Sequence, residues 1–279
     1  MNNKHIQIGF SPCPNDTFIF DALINNKIDT EGIIFEAVME DVQTLNQWAI
    51  EKKLPVTKLS YGVLPLVVNH YMVLNCGSAL GTGVGPLLLR NKDQEGIKIE
   101  ECFIAIPGEN TTAHLLFSLA YPGALKKVFM RYDEIEGFVA EGKGLGVIIH
   151  ENRFTYHDKG LIKLIDLGEY WEKKTNNPIP LGGIVIKRTM PSDLQLKMDA
   201  LIRKSIEFAW SNYPVLTTYI TKNAREMSED VMRNHIDLYV NKYSLGLGID
   251  GKEAVKKIIS VYNKTYHRKE SGLPIFVTV

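Results

Sequence analysis

The segment GLGVIIHENRFTY, residues 144–156, runs an apolar stretch into His150 and follows it at once with Glu151, Asn152 and Arg153. An imidazole has the ordinary side-chain pKa nearest neutrality, so it can accept a proton at pH 7 as a general base must. A buried strand that ends on such a group delivers it to the crevice where parallel α/β sheets hold ligands. A lone histidine is more often structural; its place at a strand's carboxyl end makes His150 the candidate base. His5, His157, His235 and His267 sit in polar or helical contexts that read as surface, while His70 and His114 fit either reading.

Three further segments offer groups that could hold a polar ligand. In FSPCPNDTFIF, residues 10–20, Pro12 and Pro14 stiffen a loop after the first strand, and Asn15 or Asp16 is expected to cap a helix opened by Thr17. Nothing beside Cys13 depresses its pKa, so it reads as packing. IPGENTTAHLLFSL, residues 106–119, repeats the design, with Thr111 or Thr112 capping a helix whose free N–H groups suit a carboxylate or phosphate. On that reading Thr112→Val should weaken ligand binding more than stability. In VTKLSYG, residues 56–62, alternation sets Lys58 and Ser60 on one face and Leu59 on the other. Capping and snorkelling explain these residues equally well unless they border one cleft.

Other chemistries find no support. GSALGTGVGPLLL, residues 77–89, is glycine-rich but lacks G-x-G-x-x-G and runs into a strand, so it reads as a flexible connection. Walker, H-E-x-x-H and nucleophile-elbow motifs are absent.

The elements that must carry these residues alternate. Strand-like HIQIGF, IIFEAVM, VTKLSYG, CFIAIPG and LGVIIHE are separated by helical TFIFDALINN, VQTLNQWAIEKK, TTAHLLFSLAY and DEIEGFVAEG. That order predicts an α/β fold of two lobes, with mixed, mostly parallel sheets flanked by helices and a ligand cleft between them. Residues 1–90 and 187–279 are expected to form the first lobe and 91–186 the second. The chain turns nearly all helical from about Leu194 to His267, and these helices should return to the first lobe. Ser228 is the expected cap of an amphipathic helix, SEDVMRNHIDLYVN.

Bulk composition is that of an ordinary globular protein of 279 residues, 45% apolar and 23% charged. Lys+Arg and Asp+Glu both number 32, so no basic excess advertises nucleic acid. Three scattered cysteines, no apolar stretch of membrane length and no leader-like opening predict a reduced, cytoplasmic protein.

Together, GFSPCPNDTFIF, LPVTKLSYG, PGENTTAHLL, GLGVIIHENRFTY and DLGEYWEKKTNNPIPLGGIVIKR resemble the 1,4-dihydroxy-6-naphthoate synthases of the futalosine route to menaquinone. The resemblance runs from about residue 5 to the C-terminal helices. It implies a fold like that of type II periplasmic binding proteins. It also implies a lyase that converts cyclic dehypoxanthinylfutalosine to 1,4-dihydroxy-6-naphthoate, releases dihydroxyacetone and needs no metal or organic cofactor. The family's catalytic base falls on His150, and its substrate contacts fall on Lys58, Leu59, Ser60, Thr111, Thr112 and Ala113. The substrate carries a carboxylate, which the helix starts at Thr111–Thr112 and at Asn15–Asp16 could hold. A small-molecule binding protein of the same fold without turnover, and the related chorismate dehydratase, are the competing readings.

Overall fold

The computed structural model describes residues 4–224 and 227–278. Strand β1 (Lys4–Phe10) turns Ile6, Ile8 and Phe10 inward. Prolines 12 and 14 end it, because a residue without a backbone N–H cannot extend the ladder but can open a helix. Helix α1 (Pro14–Ile24) starts there, with Cys13 at the N-cap and no side-chain cap bond. The expected capping by Asn15 or Asp16 is therefore not the arrangement found. Both lie inside the first helical turn, which leaves their side chains for other partners.

Strands β2 (Ile33–Met39) and β3 (Val56–Ser60) flank β1 in parallel, with α2 (Val42–Ile50) crossing between them. After the short helix α3 (Leu64–Val67) come β4 (Tyr71–Val73) and β5 (Ala79–Gly81), followed by β6 (Leu87–Arg90). The middle of the chain supplies β7 (Ile104–Ile106), α4 (Thr112–Ala120), β8 (Lys127–Phe129), α5 (Ile135–Ala140) and β9 (Leu145–Ile148). It continues through α6 (Asn152–Thr155), β10 (Ile162–Asp166), α7 (Leu167–Thr175) and β11 (Ile179–Lys187).

Two sheets result. One has the order β2-β1-β3-β11-β4 with β5 also on β11, and the other β10-β6-β9-β7-β8. Both are mixed. The parallel pairs are confined to β1 with β2 and β3, and to β7 with β8 and β9. β11 runs antiparallel to β3, β4 and β5, and β6 antiparallel to β9 and β10. The expected dominance of parallel pairing is thus corrected: returning segments enter each sheet against its direction. Sheet membership also departs from the expected breaks at 90/91 and 186/187, because β6 belongs wholly to the second sheet and β11 wholly to the first.

The C-terminal region is helical: α8 (Ser192–Asn212), α9 (Thr218–Asn223), α10 (Glu229–Tyr239), α11 (Lys242–Leu245) and α12 (Gly248–Thr265). Ser228 caps α10 by accepting from the Val231 N–H at 3.3 Å. Helices α8, α9 and α10 pack on α1, and α12 packs on β11. One apolar cluster runs from Tyr61, Val73 and Val185 through Leu88 to Ile106, Phe117 and Val147, joining both sheets in a shared core.

Candidate active site

The carboxyl ends of β1, β3, β7 and β9 converge on one cavity between the sheets. Its lining includes every candidate residue named from the sequence: Asn15, Asp16, Lys58, Leu59, Ser60, Thr111, Thr112, Ala113 and His150. Convergence follows from topology, since parallel strands that share a direction open their following loops on one edge.

His150 lies two residues past the end of β9, and its backbone is left-handed, with φ of 58°. Non-glycine residues reach that region at a cost of about 1–2 kcal/mol, and histidine tolerates it better than most. The charged residues behind it explain why an apolar strand finishes among them. Arg153 donates to the carbonyls of Gly83 and Gly85 and to Asp166, the last at 2.7 Å. Asn152 donates to the buried Glu136 carboxylate, which also holds Lys159. This anchoring ties down the glycine-rich segment expected to be a flexible connection, and it fixes the turn that carries His150.

The His150 ring meets Cys13, whose Sγ lies 3.5 Å from Nδ1, and the Tyr132 ring at 5.1 Å between centroids. Burial lowers its pKa from the ordinary 6.5, outweighing the opposing pull of the nearby Glu151 and Asp16 carboxylates. The ring is therefore neutral and proton-accepting at pH 7. Burial pushes the Cys13 thiol far up as well, so it stays protonated and is no nucleophile.

His235, expected at the surface, is instead 1% exposed. It lines the cavity with Tyr239 and stacks on His150 at 6.2 Å with an interplanar angle of 6°. Neither of its ring nitrogens has a hydrogen-bond partner among the described residues, and burial drives its pKa well below 6.5. Its helical spacing with the buried Met232, Ile236 and Tyr239 is legible in the sequence as an apolar face. An ionisable residue on that stripe is the signal for burial.

Lys58 is not a free cation. Its ammonium sits 2.6 Å from Asp16 Oδ1, with both side chains under a tenth exposed. Asp16 also accepts from Asn15 at 3.0 Å, and from the Ser11 hydroxyl and N–H at 2.7 and 3.1 Å. Removing one partner of such a pair strands a buried charge, at a cost of about 3–5 kcal/mol. Ser60 accepts from Asn46 at 3.0 Å, and among the described residues its hydroxyl proton has no acceptor, so it can donate into the cavity that Ser60 lines.

The threonines divide their labour. Thr111 caps α4, accepting from the His114 N–H at 3.2 Å and donating to Gly108 at 2.8 Å. Thr112 bridges the sheets: it donates to the Leu181 carbonyl at 2.7 Å and accepts from the Gly62 N–H at 2.9 Å. Gly62 must be glycine, because a Cβ there would lie 2.7 Å from the Thr111–Thr112 peptide. With both hydroxyls committed, the groups of α4 left for an anion are the N–H donors of its first turn, at Thr112 and Ala113. His114 is outside the cavity lining and is occupied by the Glu109 carbonyl at 2.7 Å and Lys127 at 3.1 Å.

A cavity closed between two mixed sheets, with the chain crossing from one to the other and back, defines a periplasmic-binding-protein-like fold. The periplasmic aliphatic sulphonate binding protein SsuA of Escherichia coli shares it at a TM-score of 0.67 and 8% identity, over 96% of this chain and 94% of that one. A solved protein of Archaeoglobus fulgidus reaches a TM-score of 0.89 at 30% identity, over 96% of this chain and 100% of its own. A 1,4-dihydroxy-6-naphtoate synthase of Thermus thermophilus is 40% identical over 273 residues, 98% of this chain and 99% of that protein. The menaquinone biosynthesis family matches residues 6–264, and the chain belongs to it.

Proposed function

We propose that the protein is a carbon–carbon lyase that converts cyclic dehypoxanthinylfutalosine to 1,4-dihydroxy-6-naphthoate and dihydroxyacetone, working in the cytoplasm. The observation that carries this reading is the placement of the His150 imidazole, held by an anchored turn in the wall of a cavity that the start of α4 also lines. The N–H donors of Thr112 and Ala113 receive the substrate carboxylate, and the Ser60 hydroxyl donates to a polar substituent. The Lys58–Asp16 pair holds β3 against α1 and keeps the cavity wall rigid. His150 removes the proton that starts a retro-aldol-like cleavage, and ring aromatisation drives it forward. General-base assistance contributes about 10²–10⁴-fold, with orientation in a dry cavity supplying much of the rest. No helix among the described residues is long and apolar enough to cross a membrane.

The test is incubation of the purified protein with cyclic dehypoxanthinylfutalosine, following naphthoate and dihydroxyacetone by chromatography, with chorismate in a parallel reaction. The expected result is stoichiometric formation of both products, none from chorismate, and loss of turnover in His150→Ala. Binding without products would overturn the assignment, and wild-type turnover in that variant would remove His150 from the mechanism.

A further inference from the structure

We propose that Cys13, His150, Glu151 and His235 form an inhibitory binding site for a zinc-class divalent cation in the cavity wall. One ligand atom from each lies within 4.8 Å of all the others. Zinc takes such a set, because thiolate, imidazole and carboxylate are its common protein ligands in four-coordinate sites. In a tetrahedral site with ordinary zinc bond lengths, a sulfur and a nitrogen stand about 3.6 Å apart. Cys13 Sγ and His150 Nδ1 are already 3.5 Å apart.

A second observation points to a ligand independently of that spacing. His235, 1% exposed, has no partner for either ring nitrogen, and a buried Glu151 carboxylate oxygen also lacks one. Buried polar atoms are rarely left so, because each forfeits its hydration without return. One cation would take the Glu151 oxygen and one of the two His235 nitrogens, so two of the three orphaned atoms in this four-residue cluster gain a partner together. The charges also close: a thiolate, a carboxylate and two neutral imidazoles balance a divalent ion, with the Cys13 proton released to solvent. The Lys58 ammonium is already held on Asp16 at 2.6 Å. A second cavity borders Cys13 and His150, and its lining carries the Glu40 carboxylate and the Asp41 carboxylate that caps α2, with Arg131 on the same wall.

A metal on the imidazole occupies the lone pair that His150 needs as a base. The inhibitory part of the proposal therefore rests on the lyase reading, while the binding part does not. Wild-type protein titrated with Co2+ should show thiolate-to-cobalt charge-transfer absorption and the strong visible bands of a tetrahedral ion, saturating at one ion per chain. Zn2+ should abolish both signals. Cys13→Ser should lose the charge-transfer band. His235→Gln, which keeps polarity and approximate volume, should weaken zinc binding by roughly tenfold or more in calorimetry. Zinc should stop turnover of the wild type, and a chelator should restore it.

Absence of the charge-transfer band in wild type, or wild-type zinc affinity in both variants, overturns the site. Undiminished turnover with zinc bound overturns the inhibition. The spectra are recorded without substrate, so an inactive wild type would count against the lyase reading and leave the metal site to be decided by its own signals.

Discussion

His150 combines a strained backbone with a lowered pKa, and the two can be separated by substitution. Glycine accepts φ of 58° without penalty, whereas alanine carries the same strain as other L-residues. His150→Gly and His150→Ala should both lose about 10²–10⁴ in kcat. The glycine variant should be the more stable of the two by about 1 kcal/mol in urea unfolding. Equal stabilities would mean that the surrounding turn does not impose the left-handed conformation. Cys13 and His235 complete the environment of this ring, and they differ in legibility. Cys13 reads from sequence as inert packing and is a buried, protonated thiol, although its contact with an imidazole 137 positions away is not visible there. His235 reads as surface because of its polar neighbours in the chain, which say little about which helical face is buried.

At the scale of elements, the start of α4 is fastened to the first sheet and to α2. Asn46 on α2 donates to the Asn110 carbonyl at 2.8 Å, Gln43 accepts from the Asn110 N–H at 3.1 Å, and Thr112 ties Gly62 to Leu181. This changes the expectation for Thr112→Val. The substitution keeps volume but leaves the buried Gly62 N–H without its acceptor, while the Leu181 carbonyl keeps the Tyr61 N–H at 3.0 Å. An unmet buried donor costs about 1–3 kcal/mol, so the variant should lose that much stability in denaturant titration. Any loss of substrate affinity should follow from the displaced α4 terminus. Unchanged stability with weakened binding would restore the simpler view of this hydroxyl as a ligand contact. Two threonines after a glycine at a strand's end mark a helix start in any sequence. Which hydroxyl caps and which one reaches the other sheet depends on how closely Gly62 approaches.

For the whole molecule, two imidazoles, one half-buried at His150 and one buried at His235, couple folding to pH. Burial lowers the pKa of both His150 and His235, with Glu151 and Asp16 opposing the shift at His150 and Lys58 adding to it at both. The unfolded chain, titrating near 6.5, therefore takes up protons before the folded one does. Stability is full above that pH and declines as pH falls below it, until the folded-state pKa values are passed. Each histidine contributes up to about 1.4 kcal/mol per pH unit within its window. Urea midpoints measured between neutrality and mild acid should fall accordingly, and His235→Gln should make that decline shallower. A midpoint flat across this range would show that the rings are not desolvated. The acid limb of kcat/KM should likewise lie below pH 6.5, since the free enzyme needs His150 neutral.

Strand and helix order, the returning C-terminal helices, the Ser228 cap and the gathering of His150, Lys58, Ser60 and Thr111–Ala113 at strand ends are all readable along the chain. Each depends on local periodicity, or on the rule that parallel strands open on one edge. Three features lie beyond that reading: the pairing of Lys58 with Asp16, the bridge made by Thr112, and the burial of His235 against His150. Each joins groups separated by 42 to 85 positions, as the numbering shows. A charge, a hydroxyl or an imidazole satisfies one local pattern equally well whether it meets water or a distant partner. Packing chooses between the two, because only burial makes an unpaired polar group costly.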